Sequence, residues 1–155
     1  MNGFDISYIL SLDRYTSKCF KGFAMSDTYK LPFNNAKWAL YIVNTDNSSG
    51  PGEHWCVLYF DKDYCEFFDP YGQPPETYGF ENLIKRRRCK YLVYNSHQVQ
   101  NLTSTTCGHH CIFFALHRCR GYSMSDILNL YHSYNTQEND RMVKFFIKNL
   151  GLSIS

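Results

Sequence analysis

The stretch Gln100-Asn101-Leu102-Thr103-Ser104-Thr105-Thr106-Cys107-Gly108 is polar and rich in Thr and Ser, so it is predicted to be a loop. A largely apolar run of helix length, residues 109–117, follows it directly. Cys107 therefore lies just inside a helix N-terminus, where unpaired backbone N–H groups and the helix dipole favour negative charge. A thiol at such a position ionises more readily than a free one, as a cysteine nucleophile requires.

Size and composition indicate one packed domain spanning residues 1–155, with a hydrophobic share of 44% and an aromatic share of 17%. The net charge of +2 is too small to establish a polyanionic partner. No stretch approaches the about 20 apolar residues of a membrane helix, and the N-terminus lacks the regions of a secretion signal. We therefore expect a soluble protein made inside a cell.

The chain has seven cysteines, an odd number. Without a secretion signal, this number favours free thiols in a reducing compartment. The cysteines are Cys19, Cys56, Cys65, Cys89, Cys107, Cys111 and Cys119.

Hydrophobic periodicity predicts an α+β fold in which helices pack on a small, mostly antiparallel sheet. The predicted helices cover residues 5–12, 80–87, 107–117, 125–131 and 137–150. The predicted strands cover residues 38–43, 54–60, 64–69 and 91–94, the middle two forming a hairpin. Residues 16–35 are predicted to be loop with short turns.

A cysteine nucleophile needs an imidazole base and a group that orients the base. Of the six histidines, only His54 begins a strand directly after a Gly-rich loop, at a sheet end that can face a cleft. If the hairpin closes at residues 61–63, its pairing places Asp69 beside His54. The carboxylate can accept from one ring nitrogen while the other nitrogen faces the sulfur.

Donors for an oxyanion are predicted in the loop before the helix. The carboxamide of Gln100 and the backbone N–H of Cys107 would form a two-donor oxyanion hole, each donor being worth about 3 kcal/mol of barrier. Gly108 has no side chain to obstruct the backbone of an approaching substrate.

Five motifs, in order and with similar spacings over residues 40–117, make the chain resemble the adenovirus maturation protease (adenain) family. They are Ile42-Val43-Asn44-Thr45, Gly52-Glu53-His54-Trp55, Phe68-Asp69-Pro70-Tyr71-Gly72, Val99-Gln100 and Cys107-Gly108. The resemblance implies an endopeptidase with a His–acid–Cys triad on His54, Asp69 and Cys107, and a Gln oxyanion donor at Gln100. It implies a fold related to the ubiquitin-like proteases and to papain, with Trp55 beside the imidazole in the substrate cleft.

The resemblance also implies partners. It predicts cleavage of viral capsid or core precursors at Gly-containing sites, by a monomer in the virion and the nucleus of the infected cell, with no metal or organic cofactor. DNA would be a cofactor, for which the basic run Lys85, Arg86, Arg87 and Arg88 is the candidate contact. Cys89 lies where adenoviral enzymes carry a cysteine that forms a disulfide with an activating viral peptide.

Two departures from the family pattern are visible. Asp69 stands where many members have Glu, and the chain is shorter at its C-terminal end than the adenoviral enzymes. We therefore expect a compact viral or mobile-element member of the family.

Other interpretations of the same residues were weighed. A deubiquitinating or ubiquitin-like-modifier protease shares the residue set, although the latter type usually has Asp where this chain has Thr106. A nucleic-acid-binding domain with a coincidental triad is the non-enzyme alternative. The basic run is more often a solvated helix face, and Cys89 is equally well a half-buried strand cysteine. A zinc site formed by Cys107, His110, Cys111 and His117 is disfavoured, because structural zinc sites also draw paired ligands from turns.

Overall fold

A five-stranded sheet in the order β1-β2-β3-β4-β5 forms the centre of the fold in the computed structural model, which describes residues 1–26, 38–46, 54–87 and 89–151. The strands are β1 (Phe20–Ala24), β2 (Trp38–Asn44), β3 (Trp55–Asp61), β4 (Tyr64–Phe68) and β5 (Tyr91–Tyr94). The two central pairings, β2 with β3 and β3 with β4, are antiparallel, whereas β1 with β2 and β4 with β5 are parallel. The prediction of a mostly antiparallel sheet is therefore wrong for the two outer strands.

Helices cover both faces of this sheet. They are α1 (Gly3–Leu12), α2 (Glu81–Arg86), α3 (Cys107–Arg118), α4 (Met124–Leu128) and α5 (Thr136–Lys148), with 3-10 turns at Thr16–Lys18 and Pro75–Tyr78. The predicted helices and the four predicted strands are confirmed, with shifts of a few residues at their ends. Among the described residues, none of the helices combines the length and the apolar character needed to cross a membrane.

The core has two parts because successive side chains of a strand point to opposite faces. One part contains Leu40 and Ile42 of β2 and packs against α1, α3, α4 and α5. The other contains Tyr41 and Val43 and packs against α2. Burial on both faces explains why β2 and β3 are continuous apolar runs instead of alternating ones. Helix α3 lies inside the larger part, so its start is fixed against the sheet.

Strand β1 was not predicted, because residues 16–35 show breakers instead of a strand pattern. The strand lies at the edge of the sheet, and its register shifts between Phe20 and Gly22. Gly22 has φ +131°, a conformation that glycine adopts readily and that suits an irregular edge strand. A glycine inside a strand also interrupts the hydrophobic pattern from which strands are predicted. Residues 27–37 lie outside the described residues.

Two of the seven predicted free thiols are paired. Cys65 on β4 forms a disulfide with Cys89, 24 residues further along the chain. The five other cysteines are free and buried. The expectation of seven free thiols is therefore wrong, because it rested on an odd count, which does not exclude one bridge.

Candidate active site

The first turn of α3 presents the Cys107 sulfur to the predicted base. Cys107 is the first residue of the helix and is 9% exposed. Its sulfur interacts with the His54 ring and with the backbone N–H groups of Trp55 and Gly108. Burial raises the pKa of the Cys107 thiol, but these donors outweigh burial and bring the pKa below its ordinary value.

His54 lies directly before β3 and is bonded through one ring nitrogen to Asp69. His54 Nε2 is 2.5 Å from Asp69 Oδ1, and both side chains are buried. The register that places Val57 opposite Phe68 brings these two residues together at the end of the hairpin, as the sequence predicted. Nδ1 is left to face Cys107. Burial lowers the pKa of His54, but the contacts with Asp69 and Cys107 raise it to about 9.

The carboxylate of Asp69 is surrounded by donors. Oδ1 accepts from the backbone N–H of Tyr71 at 3.0 Å, in addition to His54. Oδ2 accepts from the backbone N–H of Gln73 at 3.0 Å and from the Tyr78 hydroxyl at 2.7 Å. Burial raises the pKa of Asp69, but His54 and the other donors hold the pKa below its ordinary value. The carboxylate is thereby fixed in the orientation that reaches His54.

Two tyrosines that hold the His54–Asp69 pair were missed by the sequence analysis. The Tyr71 ring stacks on the imidazole, with ring centroids 4.4 Å apart and an interplanar angle of 15°. The Tyr78 ring lies 5.8 Å from the imidazole centroid while its hydroxyl bonds Asp69. An Asp two residues before its backbone donor is typical of an Asx turn, so the sequence carried a signal for Tyr71. It carried none for Tyr78.

One glycine brings the turn after β4 against the segment before the predicted oxyanion loop. Gly72 has φ +76°, and a Cβ there would lie 2.7 Å from the backbone carbon of His97. Only glycine fits, on grounds of both conformation and space. The carbonyl of Pro70 accepts from Val99 N at 2.9 Å and from Gln100 N at 3.0 Å. The turn carrying the acid and the backbone of the oxyanion loop are thus joined directly.

Gln100 is fully buried and bonds within its own loop. Its Nε2 donates to Ser104 O at 3.1 Å and lies 3.2 Å from Ser104 Oγ. Its Oε1 has no hydrogen-bond partner among the described residues. The carboxamide is held near the start of α3, and its role as an oxyanion donor stays a prediction.

A cleft of about 250 Å³ opens at the sulfur. Its lining residues are Met1, His54, Trp55, Tyr71, Ser104, Thr105 and Cys107. Trp55 lines this cleft together with His54 and also packs inward, edge-on to Phe23 with ring centroids 5.9 Å apart. Both expectations for this tryptophan, a cleft wall and a core residue, therefore hold.

The space beside Gly108 is occupied by the N-terminal segment. A Cβ at Gly108 would lie 3.3 Å from Met1 Sδ and 3.4 Å from Ile6 Cδ1. A side chain at this position would therefore contact α1, and the prediction that Gly108 opens the path of the substrate stays a prediction. The Gly-rich loop before His54, with Gly52 of the family motif, lies outside the described residues.

The described residues that line the cleft do not include Lys85, Arg86, Arg87 or Cys89. Lys85 and Arg86 are exposed in the last turn of α2, and the Arg87 guanidinium lies 5.0 Å from the centroid of the Phe60 ring. Arg88 lies outside the described residues. Cys89 is bonded to Cys65, so an activating peptide would have to displace this disulfide by thiol exchange to reach it.

The histidines of the disfavoured zinc set have other partners. His110 Nε2 bonds Asp140 Oδ1 at 2.9 Å, and His117 Nδ1 bonds the Phe113 carbonyl at 2.7 Å. Asp140 was not singled out in the sequence. The described residues do bring ring nitrogen, sulfur and carboxylate atoms of His54, Cys56 and Asp69 within 4.8 Å of one another. The Asp69 oxygens in this group already accept hydrogen bonds, and Cys56 Sγ lies beside them, 3.8 Å from Asp69 Oδ1.

The proteases of several adenoviruses are similar in sequence to this chain. A protease of Bovine adenovirus 7 is 32% identical over 113 residues, which cover 63% of this chain and 56% of that protein. A protease of Human adenovirus B serotype 3 is 32% identical over 111 residues, which cover 63% of this chain and 49% of that protein. The chain thus spans about half the length of the relatives it matches.

Solved structures show the same fold. The crystal structure of the ASFV protease has a TM-score of 0.59 at 16% identity, covering 92% of this chain and 65% of that one. A structure of AvrA has a TM-score of 0.50 at 19% identity, covering 73% and 46%. These likenesses confirm the predicted fold class. The adenovirus endoprotease family model matches residues 27–142, well over half of the sequence. The chain therefore belongs to the adenovirus endoprotease family.

Proposed function

We propose that this chain is a cysteine endopeptidase with His54 as base, Asp69 as the group that orients it, and Cys107 as nucleophile. The observation that carries the proposal is the buried contact of 2.5 Å between His54 Nε2 and Asp69 Oδ1, beside a thiol at a helix N-terminus. The lowered pKa of Cys107 and the raised pKa of His54 both favour a thiolate–imidazolium pair at neutral pH.

The reaction follows from this arrangement. The Cys107 proton passes to His54 Nδ1, and the thiolate attacks the carbonyl carbon of the scissile peptide bond. Gln100 and the backbone N–H of Cys107 donate to the resulting oxyanion. His54 gives its proton to the leaving amine, and an acyl-thioester remains on Cys107. His54 then takes a proton from water, which attacks the thioester and releases the acid product.

The substrates we propose are viral structural precursors cut at Gly-containing sites, in the virion or the infected cell, by the monomeric chain. The adenoviral relatives named as proteases support a protein substrate. The aromatic walls of the cleft, Trp55 and Tyr71, fit a flat, side-chain-poor segment at the scissile bond.

Two activating partners remain proposals. The exposed Lys85 and Arg86 would contact DNA phosphates, although cations in the last turn of α2 also complement the helix dipole. An activating peptide would approach β5, an edge strand whose residues 91–94 are all exposed, since an unpaired edge accepts an extended peptide.

A cleavage assay with a peptide library, run with and without DNA at low salt, tests the proposal. We expect turnover by the wild type and none by Cys107→Ala. Cys111→Ala is the matched control, because it removes a fully buried thiol one turn later on the same helix. A thiol-reactive peptide electrophile should label Cys107 and spare Cys111, whose pKa is raised by burial. Absence of both turnover and labelling would refute the proposal that the chain is a cysteine endopeptidase. Cleavage restricted to ubiquitin-like precursors would instead indicate a ubiquitin-like-modifier protease.

A further inference from the structure

Helix α5 carries two adjacent buried polar side chains that the triad does not use. Asn139 Nδ2 donates to the carbonyl of Val99 at 3.1 Å, at the start of the loop of residues 100–106. Asp140 Oδ1 accepts from Thr106 Oγ1 at 2.8 Å, at the end of the same loop. The helix therefore holds both ends of the loop that carries the predicted oxyanion donor.

The charge state of Asp140 follows from its surroundings. Burial raises the pKa of Asp140, but the hydrogen bonds from His110 and Thr106 outweigh burial and lower it, so the carboxylate is ionised. The pKa of the fully buried His110 is lowered, chiefly by burial, so the ring is neutral. His110 Nε2–H then donates to Asp140 at 2.9 Å, and its Nδ1 accepts from the Tyr131 hydroxyl at 3.1 Å.

An ionised carboxylate can only accept, so the Thr106 hydroxyl donates its single proton to Asp140. Thr106 Oγ1 is then left as an acceptor for the Ser104 hydroxyl, 2.9 Å away, whose single proton is also within reach of the Asn101 carbonyl at 3.0 Å. Ser104 Oγ in turn lies 3.2 Å from Gln100 Nε2, which donates to it. A chain of polar contacts thus connects the Gln100 carboxamide, through Ser104 and Thr106, to the Asp140 carboxylate.

Thr106 gives up its usual function to make this chain. It is the N-cap residue of α3, where a threonine hydroxyl commonly accepts from the N–H groups of the first turn. Its side chain makes no capping bond. The Thr106 hydroxyl bonds Asp140 instead of capping the N-terminus of α3.

We propose that Asp140 is a positioning residue for the reaction. Acting through Thr106 and Ser104, it holds the Gln100 carboxamide near the start of α3, where one Nε2 hydrogen would exchange its contact with Ser104 for the oxyanion. His110 and Tyr131 hold Asp140 in place, and Asn139 holds the other end of the loop. This inference rests on the proposed function, since Gln100 matters only if Cys107 attacks a carbonyl.

Thr106→Val tests the connection, because it removes the hydroxyl at nearly unchanged shape. We expect kcat to fall about tenfold with KM unchanged. This loss is smaller than the loss of about 10²–10³-fold in kcat on removing one oxyanion donor, because Gln100 stays in place but is less well positioned. Alkylation of Cys107 by iodoacetamide should keep its rate, because His54 and the backbone donors to the sulfur are untouched. Thr106→Ser should restore kcat. Arg141→Gln is the matched control, since it changes the exposed neighbour of Asp140 on α5.

A double-mutant cycle distinguishes positioning from a general loss of structure. In a Gln100→Ala background, Thr106→Val should change kcat less than twofold, because its target has been removed. The same cycle is run with Asp140→Asn in place of Thr106→Val. It provides the test on its own if the Thr106→Val variant does not unfold cooperatively. Additive losses in these cycles, or a wild-type kcat for the single variants, would overturn the inference. A wild type without turnover or Cys107 labelling would instead refute the proposed function.

Discussion

Replacing Asp69 by Asn tests the electrostatics of the site, because it keeps the shape of the side chain and removes its charge. The charge lies 2.5 Å from His54 Nε2, in a pair with almost no exposure to solvent. An opposite charge at such range shifts a pKa by about 1–3 units, and each unit corresponds to about 1.4 kcal/mol. The alkaline limb of kcat/KM, set by the His54 pKa of about 9, should therefore move down by that amount.

A second effect of Asp69→Asn comes from hydrogen-bond direction. All side-chain and backbone groups around the carboxylate are donors, apart from the adaptable Tyr78 hydroxyl. If the amide N–H₂ of the new side chain replaced Oδ2, it would face the Gln73 N–H, which is also a donor. If it replaced Oδ1, it would face the Tyr71 N–H and His54 Nε2. In the second case the imidazole proton moves to Nδ1, the nitrogen that should receive the Cys107 proton. We expect kcat at neutral pH to fall by about 10³-fold or more.

The assay is peptide turnover by wild type and variant from pH 5 to pH 10, with thermal melts to confirm folding. Asp63→Asn, at the opposite end of the same hairpin in an exposed pair with Lys90, is the control and should leave the profile unchanged. An Asp69→Asn variant that folds and retains both the wild-type kcat and the wild-type alkaline limb would refute the reasoning.

Three further predictions concern stability. In chemical unfolding, Gly72→Ala should lower the free energy of unfolding by about 1–3 kcal/mol more than Gly79→Ala does. Both glycines have positive φ, but only at Gly72 would a Cβ lie within 3 Å of backbone atoms. Equal losses of stability would contradict the close packing at Gly72. Cys65→Ser should lower the free energy of unfolding by about 3.5 kcal/mol, because it removes a disulfide that spans 24 residues. Reductant should lower the Tm of the wild type but not that of the variant. Equal sensitivity of the two proteins to reductant would exclude the disulfide. The folded pKa of His54, about 9, lies above its ordinary 6.5, so the stability from the charged ring is complete below pH 6.5 and is lost as the pH rises through 9. The unfolding free energy should fall over that window by on the order of 3 kcal/mol in the wild type, and a fall of the same size in Asp69→Asn would argue against this origin.

The parts of the site that the sequence predicted are those that depend on local pattern. His54 and Asp69 lie on one hairpin, so the turn between its strands was enough to place them together. Cys107 and Gln100 lie on one loop before an apolar helix, so the junction was visible as a change of composition.

The parts that were missed depend on contacts between distant segments. Asp140 meets Thr106 across 34 residues, and no motif links the two. The parallel pairings of β1 and β5 are likewise set by how the chain returns to the sheet, which periodicity does not encode. Cys65 and Cys89 show the same limit, since pairing cannot be deduced from a list of cysteines.

The carbonyl of Pro70, which accepts from both Val99 N and Gln100 N, has a consequence for motion in the site. A shared acceptor means that these two amides become accessible to solvent in a single opening event, so their hydrogens should exchange together. The acid turn and the backbone at the start of the oxyanion loop are therefore expected to open as one unit.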